Sequence, residues 1–464
     1  MSQLQKMSNN SRKQSFPLTL QPQAAWMAIL GLLLITALCL AAGLGKVLNI
    51  IFPAGSFAVG LFLYLRYPIL YVGFTWWVFF LTPFVRRVSD FRSGFTDPSP
   101  MLLAPPLVAT IAIVTFYRNL PKAHEQGGLP FILSAMGVFY GFLVGLIKGL
   151  PVPAIVSLLG WVSPILFGFH LFVNWRDYPS YRENIQRTFL WCVLVTASYG
   201  VYQYLVAPEW DRFWLIETKL YTSMGNPEPL GLRVWSTMNA PLQFGIVMLA
   251  GNILLFIGKG NLRILGLGVG ILSVLLTTVR TVWGGFIISL ITLLVSLKGG
   301  FQIRLIAFIL TIALCMVPLS TVEPFSKVIQ SRVTTLSNLQ DDQSVNDRAE
   351  LYGRTLNLAL SEVIGRGNGT LEPIDSGIIE LLLTFGWIGA IPYIGGLLLS
   401  FYSLFQASKF KSDPFASAAR AIVVGFLPML AGSNVIAGIS GMVFWGFLGL
   451  AMAANKYQQH QRRA

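Results

Sequence analysis

Long apolar runs separated by mostly short polar connections fill this chain. They fall at 24–43, 47–65, 67–85, 102–117, 129–148, 152–173, 188–206, 240–257, 262–279, 282–297, 303–320, 376–405, 418–432 and 440–455. A run of about 20 apolar residues crosses the hydrocarbon core as a helix, whereas barrel strands are shorter and alternate every second residue. The expected fold is therefore all-α, a polytopic transmembrane helical bundle of about 12 to 14 spans. The runs at 102–117 and 418–432 are short enough to be re-entrant or half-spans.

Two connections break the rhythm, one at 207–239 and one at 321–375. They divide the chain into a tail (1–23), an N-terminal bundle (24–206), central spans (240–320), C-terminal spans (376–455) and a basic tail (456–464). Loops of such length tend to be functional. The second one carries its own helical signal. Ser344-Val345-Asn346-Asp347 reads as a capping box, and Ala349, Tyr352, Leu356, Ala359, Leu360 and Val363 recur at helical spacing. An amphipathic helix lying on the membrane face is expected, ending at Gly365-Arg366-Gly367-Asn368-Gly369. A glycine-rich turn can also cradle phosphate. No internal repeat, inverted repeat or broken-helix pair is visible.

Composition agrees with the pattern. The chain is 54% hydrophobic and only 11% charged, against about 25% charged in soluble domains. The net charge of +14 does not point to nucleic acid, because basic residues in such chains mostly mark cytoplasmic loops. With the N-terminus placed in the cytoplasm and sides alternating, more than half of the 33 Lys and Arg fall on cytoplasmic segments, on mostly short loops. Both termini are then cytoplasmic, and both long loops face outward. No small-residue site closes the first apolar run, so a cleaved leader is not expected. Cys39, Cys192 and Cys315 lie inside apolar runs and read as small hydrophobes, not disulfides. His124, His170 and His460 show no ligand spacing, so neither a metal site nor a cofactor is expected.

Chemistry concentrates on the outward side. Arg280 sits between two apolar runs, where an arginine costs roughly 3 kcal/mol if carried to a helix centre. It is either a snorkelling cap or a fixed cation for an anionic substrate. In the alternating topology it shares its face with Arg233 and with the segment Glu372-Pro373-Ile374-Asp375-Ser376-Gly377 that opens the span holding Glu380. Two guanidinium forks at an aqueous–lipid boundary suit a lipid-linked diphosphate. Asp375 and Glu380, with Glu372 as a weaker third, are candidates for the base that takes a proton from an attacking sugar hydroxyl. Asp375 would otherwise be a helix cap, and Glu380 a polar residue paired inside the bundle.

Four stretches resemble the bacterial O-antigen ligase and O-antigen polymerase superfamily, and together they cover about the C-terminal half. Arg233-Val234-Trp235-Ser236-Thr237 through Pro241 resembles the family's Arg-x-x-Gly-Thr…Pro-Asn segment. Val279-Arg280-Thr281-Val282-Trp283-Gly284-Gly285 resembles its Ser-Arg-x-x-Trp-x-Gly segment. Asn346-Asp347-Arg348 through Gly365-Arg366-Gly367-Asn368-Gly369 resembles its loop helix. Asp375-Ser376-Gly377 through Gly386-Trp387-Ile388-Gly389 resembles the segment that normally begins His-Asn. The order and spacing agree.

The resemblance implies a GT-C-like bundle in the bacterial inner membrane. It further implies a metal-independent glycosyltransferase acting at the outer face on undecaprenyl-diphosphate-linked glycan, with a glycan or lipid as acceptor. Arg233 and Arg280 take the diphosphate-binding roles, and Arg348 is a further donor. The chain departs from the family at three positions: Asp375 stands where the family has histidine, Ser236 where it has glycine, and Leu242 where it has asparagine. A polymerase of a capsule, exopolysaccharide or O-antigen repeat is at least as well supported as a ligase. The other reading is a transporter or binder for a small anion or polysaccharide.

Overall fold

The computed structural model describes residues 22–123, 125–297, 299–319, 343–370, 374, 376–406 and 413–463. Within them the regular secondary structure is helical. The first half holds α1 (Gln23–Ala41), α2 (Gly45–Arg66), α3 (Pro68–Ser93), α4 (Ala104–Thr110), α5 (Ile113–Ala123), α6 (Leu129–Ile147), α7 (Pro151–Val173), α8 (Tyr178–Cys192) and α9 (Ser198–Val206). The first long loop folds into α10 (Glu209–Thr218) and α11 (Tyr221–Met224). Then come α12 (Pro241–Ile257), α13 (Leu262–Leu276), α14 (Arg280–Ser296) and α15 (Gly299–Leu319). The second long loop contributes α16 (Gln343–Ser361), and α17 (Gly377–Gln406), α18 (Pro414–Gly425), α19 (Leu427–Gly432) and α20 (Gly438–Arg463) complete the chain.

Ten helices among the described residues are long and apolar enough to cross a membrane. They carry large apolar side chains outward, such as Ile50 at 72% and Ile147 at 85% exposure. Patches of that kind on a monomer's surface need an apolar solvent. The protein is a multi-pass, all-α membrane bundle. The apolar runs at 102–117 and 418–432 each correspond to a composite span, a short 3₁₀ turn with α4 and α5 for the first and α18 with α19 for the second.

Most connections between spans fall at one of two ends. At one end Tyr178 donates its hydroxyl to Asp413 at 2.6 Å, and Lys456 reaches the Gln126 carbonyl at 3.2 Å. The other end holds the starts of α7, α12, α14, α17 and α20. The centre is packed by aromatic rings of α3, α7, α8 and α20, with Trp76 lying 5.6 Å from Phe167 and 5.1 Å from Phe189.

Two breaks interrupt the regular helices. Residues 193–197 form a π-turn between α8 and α9. Such bulges free backbone carbonyls, and here Thr196 O accepts from Ser236 Oγ and Ala197 O from Ser273 Oγ. The second break is in α17, at Gly386, whose φ of 58° no right-handed helix contains. The apolar run at 376–405 gives no sign of it. The backbone groups freed by the break are taken up by residues 362–367. Trp387 N and Ile388 N donate to Glu362 O and Val363 O, while Arg366 N and Gly367 N donate to Leu383 O and Thr384 O. Irregular backbone at membrane depth is tolerated only when protein satisfies it in this way. The segment after α16 therefore acts as a plug. Gly365 and Gly386 face each other with backbone against backbone, both at positive φ, and neither leaves space for a Cβ.

The loop helix α16 is docked by its tyrosine. Tyr352 donates to Ala431 O at 3.1 Å, at the end of α19. Ala359 is buried, whereas Leu356, Leu358 and Leu360 stay exposed.

Candidate functional site

The first long loop is built from a buried ion pair whose only trace in the sequence is the adjacent pair Arg86-Arg87 closing an apolar run. Arg87, near the end of α3, places Nε 2.6 Å from Asp211 Oδ1 of α10, with both side chains fully buried. The rest of that guanidinium donates to Met238 O at 2.6 Å and to Ser236 O. Asp211 also accepts from Tyr199 at 2.5 Å and Gln203 Nε2 at 2.7 Å. Gln203 turns its Oε1 to the backbone N–H groups of Trp235 and Ser236, at 3.1 and 2.8 Å. Each polar group of this cluster has a partner, which is the condition for burying charge.

That network holds the segment 233–240 in an irregular path. Ser236 adopts φ 54°, a left-handed conformation that glycine takes at least cost. Beneath it lies a small satellite core of Ala207, Trp214, Leu215, Met224, Leu232 and Trp235.

Arg233 is positioned by the connection between α13 and α14. Val234 N donates to Leu276 O at 3.1 Å, which fixes the loop against the end of α13. Arg233 Nε donates to Thr278 Oγ1 at 2.8 Å, and Nη1 to Ser223 O at 2.8 Å. Thr278 has φ 54°, so each of the two segments carries a left-handed non-glycine residue, Ser236 in one and Thr278 in the other. Arg280 comes two residues later as the first residue of α14 and is half-buried. A cation at a helix N-terminus opposes the macrodipole, whereas cations at C-termini complement it. The same geometry gathers positive potential: the helix dipole at the start of α14 and two guanidinium groups.

Glu380 stands in the first turn of α17, where Asn434 Nδ2 donates to its Oε1 at 2.8 Å. Asn434 lies just past α19, which packs against both α14 and α17, with Thr281 beside Gly432. The structure thus brings Arg233, Arg280 and Glu380 to the same end of the bundle, joined through Thr278, α19 and Asn434. The helix cap at α17 is Ser376, whose Oγ accepts from Ile379 N at 3.4 Å. Asp375 and Glu372 lie outside the described residues, as does the side chain of Arg348, whose backbone belongs to α16.

A cleft opens at this end. One part, about 510 Å³, lies between α3, α4 and α7 and is walled by Phe79, Pro105, Val152 and Val156, with Asn239 and Gln243 at one edge. An adjoining part of about 400 Å³ shares Pro98, Val152 and Val156 and reaches Glu380, Thr384, Gly367 and Gly369. The arginines sit beside this cleft and do not line it. Among the described residues no cluster of three or more His, Cys, Asp or Glu gathers to hold a metal ion. No protein-family model matches the chain, and a comparison with curated proteins finds no match.

Proposed function

We propose that this protein is a membrane glycosyltransferase that uses a polyprenyl-diphosphate-linked glycan as donor, at the outer face of the bacterial inner membrane. The observation that carries this reading is that Arg233 is bonded to Thr278, two residues before Arg280 at the start of α14, at the bundle end where the cleft reaches Glu380. The cleft is apolar along its length, as a lipid carrier needs, and polar at its edges. Ser236 at positive φ, where the O-antigen ligase and polymerase superfamily has glycine, supports the resemblance.

In this reading an acceptor hydroxyl attacks the anomeric carbon of the donor. The carbon–oxygen bond to the diphosphate breaks, and its electron pair leaves with the phosphate. Charge grows on the leaving group, and the two guanidinium groups bind it more tightly as it grows. A carboxylate, Glu380 or Asp375, takes the hydroxyl proton. Glu380 has the geometry for a held base, because Asn434 fixes one of its oxygens while the residue lines the cleft.

The break in α17 favours a second reading, a transporter for a small anion or polysaccharide, since transporters often bind substrate at discontinuous helices. Against it, the freed backbone groups at Gly386 are already bonded to residues 362–367. Arg280→Lys separates the two, since lysine keeps the charge and loses the fork. Accumulation of short lipid-linked repeats with shortened glycan supports the transferase. Unchanged glycan with reduced anion uptake would overturn it.

A further inference from the structure

A third recess, about 420 Å³, adjoins the cleft at Asp97 and Asn239 and is otherwise lined by Arg86, Phe95, Trp214, Glu217, Thr218 and Leu220. It lies where the end of α3 meets α10, outside the diphosphate region. Its chemistry differs from that region. The one lining guanidinium, Arg86, is buried and bonded to Asp90 at 3.2 Å and to Asp97 at 3.3 Å. It also stacks over the Phe95 ring at 5.5 Å. Two carboxylates, Asp97 and Glu217, remain exposed at the mouth. An anion is repelled by such a lining. Two buried polar atoms of lining residues, Asn239 Oδ1 and Trp214 Nε1, have no hydrogen-bond partner among the described residues, and Trp214 is only 3% exposed. Buried polar groups are normally satisfied, and those that are not call for a ligand or water.

We propose that this recess is a subsite for an uncharged, polyhydroxylated glycan. The proposal rests on the transferase reading for its biological meaning and on the recess itself for its chemistry. Carboxylates accept pairs of hydroxyl hydrogens, the amide and indole supply an acceptor and a donor, and Leu220, 40% exposed, offers an apolar wall for the C–H face of a sugar ring. The shared residues Asp97 and Asn239 put a sugar here next to the cleft, while the diphosphate is held elsewhere by Arg233 and Arg280. Glu217 is the residue to change: it is exposed at the end of α10, so its removal leaves the fold in place.

The test uses the full chain in nanodiscs and the delipidated repeat oligosaccharide released from the host's own lipid-linked pool. Wild type is expected to bind it, and Glu217→Ala and Asn239→Ser each to weaken binding about ten-fold. Inorganic pyrophosphate binding is expected to be unchanged by Glu217→Ala. Equal oligosaccharide affinity in the wild type and both variants overturns the subsite, and so does Glu217-dependent binding of calcium chloride in place of the sugar. Arg280→Lys is read in parallel. If it accumulates lipid-linked repeats while Glu217→Ala binds normally, the transferase stands and the subsite falls. If Glu217-dependent sugar binding holds while Arg280→Lys leaves glycan unchanged, the subsite stands without the transferase.

Discussion

Arg87 and Asp211 lie 124 positions apart in sequence and form a 2.6 Å ion pair with no solvent exposure on either side chain. The pair ties the end of α3 to the first long loop and, through Ser236 O and Met238 O, fixes the approach to α12. Removing one partner of such a pair leaves a buried charge without compensation, at a cost of about 3–5 kcal/mol. Asp211→Asn is therefore expected to lower the unfolding temperature of the detergent-purified protein clearly. Arg87→Met combined with Asp211→Leu should recover much of the loss, because neither charge then remains buried. A double variant as unstable as Asp211→Asn would show that the loop depends on the specific bonds and not on charge balance.

Ser236 combines a left-handed backbone with a hydroxyl bonded to Thr196 O in the π-turn. Ser236→Gly relieves about 1 kcal/mol of backbone strain and loses a hydrogen bond of about the same size. Its thermal stability should stay close to that of wild type. Ser236→Val loses the bond and adds a β-branched side chain at positive φ, so a fall of about 2 kcal/mol is expected in a thermal-shift series.

Arg233→Lys tests whether the fork at Thr278 is needed. Lysine cannot span Thr278 Oγ1 and Ser223 O together. The variant should fold and reach the membrane at wild-type levels yet accumulate short lipid-linked repeats on thin-layer separation. Normal long glycan would remove Arg233 from the diphosphate-binding role.

Glu380→Gln keeps an oxygen for Asn434 Nδ2 and removes only the charge. If this carboxylate takes the acceptor proton, transfer in membranes should fall about 10²–10⁴-fold while stability stays near wild type. Undiminished transfer would leave Glu380 as a bundle-pairing residue, and Asp375→Asn becomes the measurement that decides the base.

Gly386→Ala places a Cβ against the backbone of Val363, Ile364 and Gly365. Backbone cannot yield as a flexible side chain can, so the 362–367 plug must move. The four hydrogen bonds across the break are then lost together. Cleavage by external protease between α16 and α17 should rise sharply over wild type. An unchanged digestion pattern would mean that α17 can straighten without the plug.

What the sequence by itself determined was the class of fold. Hydrophobic run length and loop charge arise from the cost of placing polar groups in hydrocarbon, a local property of each segment. The loop helix was legible for the same reason, since its 3.6-residue period is local. Tertiary structure alone decided the rest. Arg87 meets Asp211, Asn434 meets Glu380, and residues 362–367 fill the break at Gly386, because each partner comes from a distant part of the chain and satisfies a group that burial would otherwise leave unpaired. Within a long apolar run, Gly386 looks like any other helical glycine. Its left-handed turn exists only because another segment is there to bond the backbone groups it releases.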